Sequence, residues 1–234
     1  MTQVDRYLLN ALKRLLYYFV TCYSGLVYGQ TSSTFDNISS KQLAKFKAAG
    51  VVSYRDFGAK GDGKTDDAVA IQKAIDACSK TGGRVVVPAP YTFLTGPFNL
   101  KSNIELFVEG GAKLLANPNE KVYTKSAFRN NPGEGTIWIG GENISNLTIS
   151  GTGEINGNGI SFMGEEIEDS YVLKPFHITD PRPHVLTIVG GNNIRIKDVH
   201  IGNSAYWTVH LVGCNDVTIN GITLLNNLKV RNSD

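Results

Sequence analysis

The segment RPHVLTIVGGNNIRIKDVHIGNS, Arg182 to Ser204, aligns without a gap on AYWTVHLVGCNDVTINGITLLNN, Ala205 to Asn227, and this 23-residue repeat constrains the fold more than any other feature. Apolar positions fall on apolar positions: Leu186 on Val209, Ile188 on Leu211, Ile194 on Val217, Ile196 on Ile219, Val199 on Ile222 and Ile201 on Leu224. Turn positions match as well, with Gly190 on Gly213, Asn193 on Asp216 and Asn203 on Asn226. Short runs such as VTI and ITL alternate apolar with polar residues, which is the period of a strand. A single copy cannot bury its own apolar face. Copies stacked as coils at the inter-strand spacing of about 4.8 Å can, so the repeat predicts a right-handed parallel β-helix. A β-sandwich also has short strands bounded by turns, but it does not require a gapless copy 23 residues on.

Looser copies lie upstream. Asn146-Leu147-Thr148-Ile149 stands 47 residues before Asn193-Ile194-Arg195-Ile196, about two periods, and Asn103-Ile104-Glu105-Leu106 stands another 43 before that. The 25 glycines among 234 residues fit turns repeated in every coil. A solenoid also needs its ends covered. The stretch Asp66 to Ser79 is the one convincing helix, with Ile71, Ala74, Ile75 and Cys78 on one face. Thr65, Asp66 and Asp67 are the expected capping groups, Gly82-Gly83 the stop, and the helix is expected to lid the first coil.

Arg6, Lys13 and Arg14 precede the apolar run LLYYFVTCYSGLV, Leu15 to Val27, which is too short for a spanning helix. A basic segment, an apolar segment and the ending Val27-Tyr28-Gly29 read as an export signal over 1–29, removed before Gln30, with a secreted or periplasmic product and no stable membrane span. Residues 30–50 are expected to be a linker and 51–234 the β-helix domain. The formal charge of +2 belongs to the leader: 23 basic residues less those three leave 20, and 21 acidic residues less Asp5 leave 20. A near-neutral chain has no broad basic patch for nucleic acid. Cys78 and Cys214 remain, as a disulfide or as two buried thiols, in a spacing that is not a metal motif.

The segments YRDFGAKGDGKTDDAVAIQKAIDAC, GGRVVVPAPYTFLTGPFNLKSNIELFVEGGAKLLA, NLTISGTGEINGNG, the dipeptide RP, NSAYWTVHLVGCNDVTINGITLLNN and the terminal NSD together resemble the amino-terminal part of glycoside hydrolase family 28, the polygalacturonase-like enzymes, in its bacterial branch. The resemblance spans about residues 51–234. The FGAKGDGKTDD stretch occurs in many pectin-lyase-like β-helices and speaks to fold. The W-T-V-H-L run followed by N-S-D is more specific to the hydrolases. In that family one parallel sheet floors the cleft, and three aspartates act there: one in an Asn-Thr/Ser-Asp motif and two in an Asp-Asp pair one coil on. The resemblance therefore implies that Asp234 helps activate water and that Asn232 orients its surroundings. It implies a pectic polysaccharide or oligogalacturonide substrate, an inverting acid/base mechanism, no cofactor or metal, and a monomer. The pair, the following Gly-His-Gly and the Arg-x-Lys are not found after Asp234, so the 234 residues are expected to be an incomplete and inactive part of the enzyme. Arg195-Ile196-Lys197 shares letters with the last motif but precedes Asp234, and reads as a solenoid strand.

His210 lies between inward Val209 and Leu211 and is expected to face outward, either contacting a sugar hydroxyl or carboxylate or simply solvated. Trp207, at the strand start, either stacks on a sugar ring or packs a coil corner. Asp62, Asp66 and Asp67 do not have the spacing of a calcium loop, and helix capping is the expected role. Residues 157–182 break the period and are expected to form a loop on the binding face, with Phe162, Tyr171 and His177 along one wall. Two further readings share the fold: a calcium-dependent polysaccharide lyase, and a non-catalytic carbohydrate-binding or tail-spike-like β-helix.

Overall fold

The computed structural model describes residues 51–127, 135–168, 170–175 and 182–231. The leader, the linker, His177 and the motif Asn232-Ser233-Asp234 lie outside the described residues.

Three parallel sheets wind around one core, and in each the neighbouring strands follow chain order. The first contains Val51–Ser53, Gly83–Val87, Ile104–Val108, Ser145–Gly151, Asn192–Lys197 and Asn215–Asn220. The second contains Asp62–Asp66, Thr92–Thr95, Lys113–Ala116, Glu154–Asn156, His200–Gly202 and Thr223–Leu225. The third contains Phe98–Asn99, Thr136–Glu142, Pro183–Val189 and Val209–Val212. A chain that visits the sheets in turn and pairs each strand with its counterpart one coil back is a parallel β-helix.

The repeat is the register. Leu186 pairs with Val209, Ile188 with Leu211, Ile194 with Val217, Ile196 with Ile219 and Ile201 with Leu224. Arg195-Ile196-Lys197 is ordinary strand within Asn192–Lys197. The upstream copies need a correction. Val85, Leu106, Ile149, Ile196 and Ile219 stand on consecutive coils, although 21, 43, 47 and 23 residues separate them. The long intervals are single coils, because excursions between Ala116 and Thr136 and between Asn156 and Pro183 leave the solenoid and return. Inward rows such as Leu106, Ile149 and Ile196 are fully buried, and each such side chain contributes roughly 1.5–3 kcal/mol on leaving water. On the last described coil the same rows are open on one side, so Ile219 is 45% and Leu224 50% exposed.

Asparagines mark one corner. Asn103, Asn146 and Asn193 all adopt left-handed backbone, with φ of 63°, 56° and 54°, a conformation that short polar side chains tolerate. Asn193 Nδ2 donates to Asn146 Oδ1 and Asn146 Nδ2 to Asn103 Oδ1, both at 2.8 Å. Asp216 continues the left-handed position, and there Arg195 pairs with the carboxylate at 3.1 Å.

Helix α1, Ala68–Ser79, buries Ile71, Ala74, Ile75 and Cys78, the face predicted from spacing. It covers the first coil and also protects a sheet edge. The Gln72 carboxamide accepts from Asn99 N–H at 2.7 Å and donates to Asn99 C=O at 3.1 Å, taking the place of a neighbouring strand at the edge of the third sheet. Capping falls to Asp66, which accepts from Ala68 N–H at 2.9 Å. Asp67 does something else. Its buried carboxylate accepts from Lys60 and Gly61 N–H at 2.8 and 2.9 Å, folding the preceding loop onto the helix. Asp62 closes its own turn on Lys64 and Thr65. The helix ends at its C-cap Lys80, two residues before Gly82, and Gly83 already begins the next strand. Cys78 and Cys214 are both free thiols, one buried and one half-buried.

Candidate active site

Alternation divides the third sheet into two rows. Phe98, Ile139, Leu186 and Val209 stack inward within the core, and Asn99, Gly140, Thr187 and His210 stack in the alternate row. His210 therefore points away from the core, as its position between Val209 and Leu211 predicts. Around it His184, Tyr206 and Trp207 gather, none of which belongs to the core cluster. The His184 ring lies 5.1 Å from each of the His210, Trp207 and Tyr206 rings. Trp207 meets His210 edge to face at 4.8 Å and stacks on Tyr206 at 6.1 Å with 6° between planes. Trp207 is half-buried, so it both packs the corner and presents part of its ring.

Sequence reasoning missed His184, although the signal was present: the 23-residue alignment places His184 on Trp207. Its side chain is completely buried. Burial pushes its imidazole down to about 3, with His210 beside it adding to the effect, and burial also lowers His210. Both rings are thus neutral near pH 7, and each has one donor and one acceptor nitrogen. Thr187, in the same row, is fully buried, and its hydroxyl has no hydrogen-bond partner among the described residues. The face is aromatic and hydrogen-bonding, which suits a sugar ring. Neutral imidazoles of this kind orient hydroxyls, while the acid/base pair of glycoside hydrolysis consists of two carboxyl groups.

The excursion between Asn156 and Pro183 borders this region. Its antiparallel hairpin, Met163–Glu166 with Leu173–Pro175, is fastened to the last described turn: Leu173 N–H donates to Lys229 C=O at 2.8 Å and Lys229 Nζ pairs with Glu166. The wall differs from expectation. Phe162 is 2% exposed and sits edge to face on Tyr123 at 5.8 Å, because the short 3-10 turn Gly159–Phe162 tucks its ring inward. It lines no groove. Tyr171 is 70% exposed between the hairpin strands. His177, Asn232 and Asp234 lie outside the described residues, so of the residues singled out for the site the structure brings together Trp207 and His210. Among the described residues, no group of three His, Cys, Asp or Glu side chains is placed to hold a metal ion.

These features define a right-handed parallel β-helix, the fold of the Yersinia enterocolitica family 28 exopolygalacturonase. That structure superposes with a TM-score of 0.67 at 24% identity, over 79% of this chain and 40% of its own. The profile of glycosyl hydrolases family 28 matches residues 78–234, and the chain belongs to that family. A probable polygalacturonase of Arabidopsis thaliana is 33% identical over 195 residues, 81% of this chain and 38% of its own length. The exo-poly-alpha-D-galacturonosidase of Dickeya chrysanthemi is 36% identical over 144 residues, 56% of this chain and 23% of its own. The chain thus spans less than half the length of these relatives.

Proposed function

We propose that this chain forms part of a hydrolase that cleaves galacturonic acid linkages in pectin with inversion, and that Trp207 and His210 floor its sugar cleft, with buried His184 packed against both. The observation that carries this is the cluster of Trp207, His184 and Tyr206 around outward-facing His210, which precedes the Asn232-Ser233-Asp234 motif in sequence, all within the family match. Inversion needs one carboxyl group to protonate the leaving oxygen and another to activate water across the ring, about 6.5–9.5 Å away. Asp234 is assigned to water activation and Asn232 to its orientation. In the family's order the acid belongs to the Asp-Asp pair that follows. The chain is expected to bind oligogalacturonide.

The test is calorimetric titration of the purified chain with tetragalacturonate and, in parallel, with a neutral tetrasaccharide. Selective binding of the uronate supports the assignment, and binding of neither sinks it. Residues 1–29 are proposed as an export leader on the strength of Arg6, Lys13, Arg14 and the apolar run to Val27. A secreted or periplasmic product beginning at Gln30 on amino-terminal sequencing, and a monomer by sedimentation, are the expected results.

A further inference from the structure

Arg182 stands immediately before the strand Pro183–Val189, and its side chain is only 3% exposed. Its carbonyl accepts from Thr136 N–H at 3.1 Å, which ties it to the preceding coil. Its Nη1 donates to the carbonyl of Ala205 at 2.7 Å, its counterpart one repeat on, and to the carbonyl of Arg231 at 3.0 Å, a further coil on. The Met163 sulfur lies 3.6 Å from the same nitrogen, and the guanidinium carbon stands 4.9 Å from the centre of the Tyr206 ring. One side chain thus links four successive passes of the chain.

Burying a guanidinium costs several kcal/mol of lost hydration, which its hydrogen bonds and ring contact must offset. A methionine would fill the space between Met163 and Tyr206 without that cost. What the arginine adds is a rigid, directed donor that reaches Arg231. The same short segment is also held by the hairpin, through Leu173 N–H on the Lys229 carbonyl and Glu166 on the Lys229 side chain. The geometry points to Arg182 as a positioning residue: it fixes the backbone at Arg231 and so sets the point from which Asn232-Ser233-Asp234 begins. Its importance for catalysis rests on the role proposed above for Asp234, whereas its grip on the backbone does not.

Amide hydrogen exchange of the 234-residue chain, followed by NMR in the wild type, Arg182→Met and Arg182→Lys, tests this. The reporters are the amides of Val230, bonded to Asn227 C=O, and Leu173, bonded to Lys229 C=O. Arg182→Met is expected to speed exchange at both by tenfold or more while Ile194 and Ile196 change less than twofold. Arg182→Lys, which keeps a donor on a flexible stem, is expected to fall between. Unchanged exchange at Val230 and Leu173, or a uniform rise that includes Ile194 and Ile196, overturns the assignment. If Arg182→Met does not fold, the lysine variant decides alone: a rise confined to the two reporters upholds the role, and a wild-type or uniform pattern overturns it. Failure of the wild type to bind tetragalacturonate would remove the pectic reading while leaving the exchange result to stand for itself.

Discussion

The rings of His184 and His210 lie 5.1 Å apart on adjacent coils, the first completely buried and the second half-buried on the outer row of the same sheet. Their burial links folding to pH. The unfolded chain protonates His184 below about 6.5, while the folded chain resists until about 3. Between those values the unfolded state holds more protons, so stability falls as the pH drops, by at most about 1.4 kcal/mol per pH unit for this group. Above pH 6.5 its contribution is constant. Glu105 and Glu154, whose carboxyls are held below their ordinary range, add an acid loss of their own only below about pH 4.3. Urea midpoints at pH 7, 6 and 5 should therefore decline in the wild type and decline less steeply in His184→Gln, where the lowered His210 remains.

Trp207→Ala should weaken tetragalacturonate binding on the order of tenfold, equivalent to about 1.4 kcal/mol, because a flat apolar face is lost from the proposed floor. Trp207→Phe should retain most of the affinity. His210→Ala should weaken it less, since a neutral imidazole supplies one hydrogen bond worth about 1 kcal/mol. Equal Kd values for all four proteins in calorimetry would remove this face from the cleft.

Asp67 is 3% exposed and satisfies two loop amides. Asp67→Ala strands both and should cost about 2–4 kcal/mol of unfolding free energy, whereas Asp67→Asn, keeping one acceptor, should cost about half as much. Equilibrium urea unfolding separates the two. A loss below about 0.5 kcal/mol for the alanine variant would show that the loop finds other partners.

Gly151 has φ of 108°, and a Cβ there would stand 2.0 Å from the carbonyl oxygen of Val108 on the preceding coil. Gly151→Ala should cost upwards of about 3 kcal/mol, since backbone meets backbone and neither can move aside. Gly213 has φ of 58° with open space around it, so Gly213→Ala should cost only the left-handed strain of about 1–2 kcal/mol. Thermal denaturation of the pair would show whether coil contact or local conformation governs glycine use in this solenoid.

The residues of the 23-residue repeat determined the solenoid directly, because in a parallel stack the alignment of two copies and the hydrogen-bond register are the same relationship: Ile194 aligns with Val217 and pairs with it. The face of α1 and the outward turn of His210 were legible for a similar local reason, the fixed periods of helix and strand. Coil count was not. The 43 and 47 residue intervals resemble double periods, and only the return of Ile149 and Ile196 to adjacent strands shows that excursions fill the difference. The division of labour among Asp62, Asp66 and Asp67 was also hidden, since three nearby carboxylates are equivalent until the loop amides choose between them. Phe162 illustrates the same limit: its place in the chain suited a groove wall, but one short 3-10 turn sends its ring against Tyr123. Sequence alone determined what repeats along the axis of this β-helix. Which groups meet across coils, such as the rings of His184 and His210 or the Arg182 guanidinium and the Arg231 carbonyl, was decided by tertiary structure, because those distances depend on how far each coil departs from the repeat before it returns.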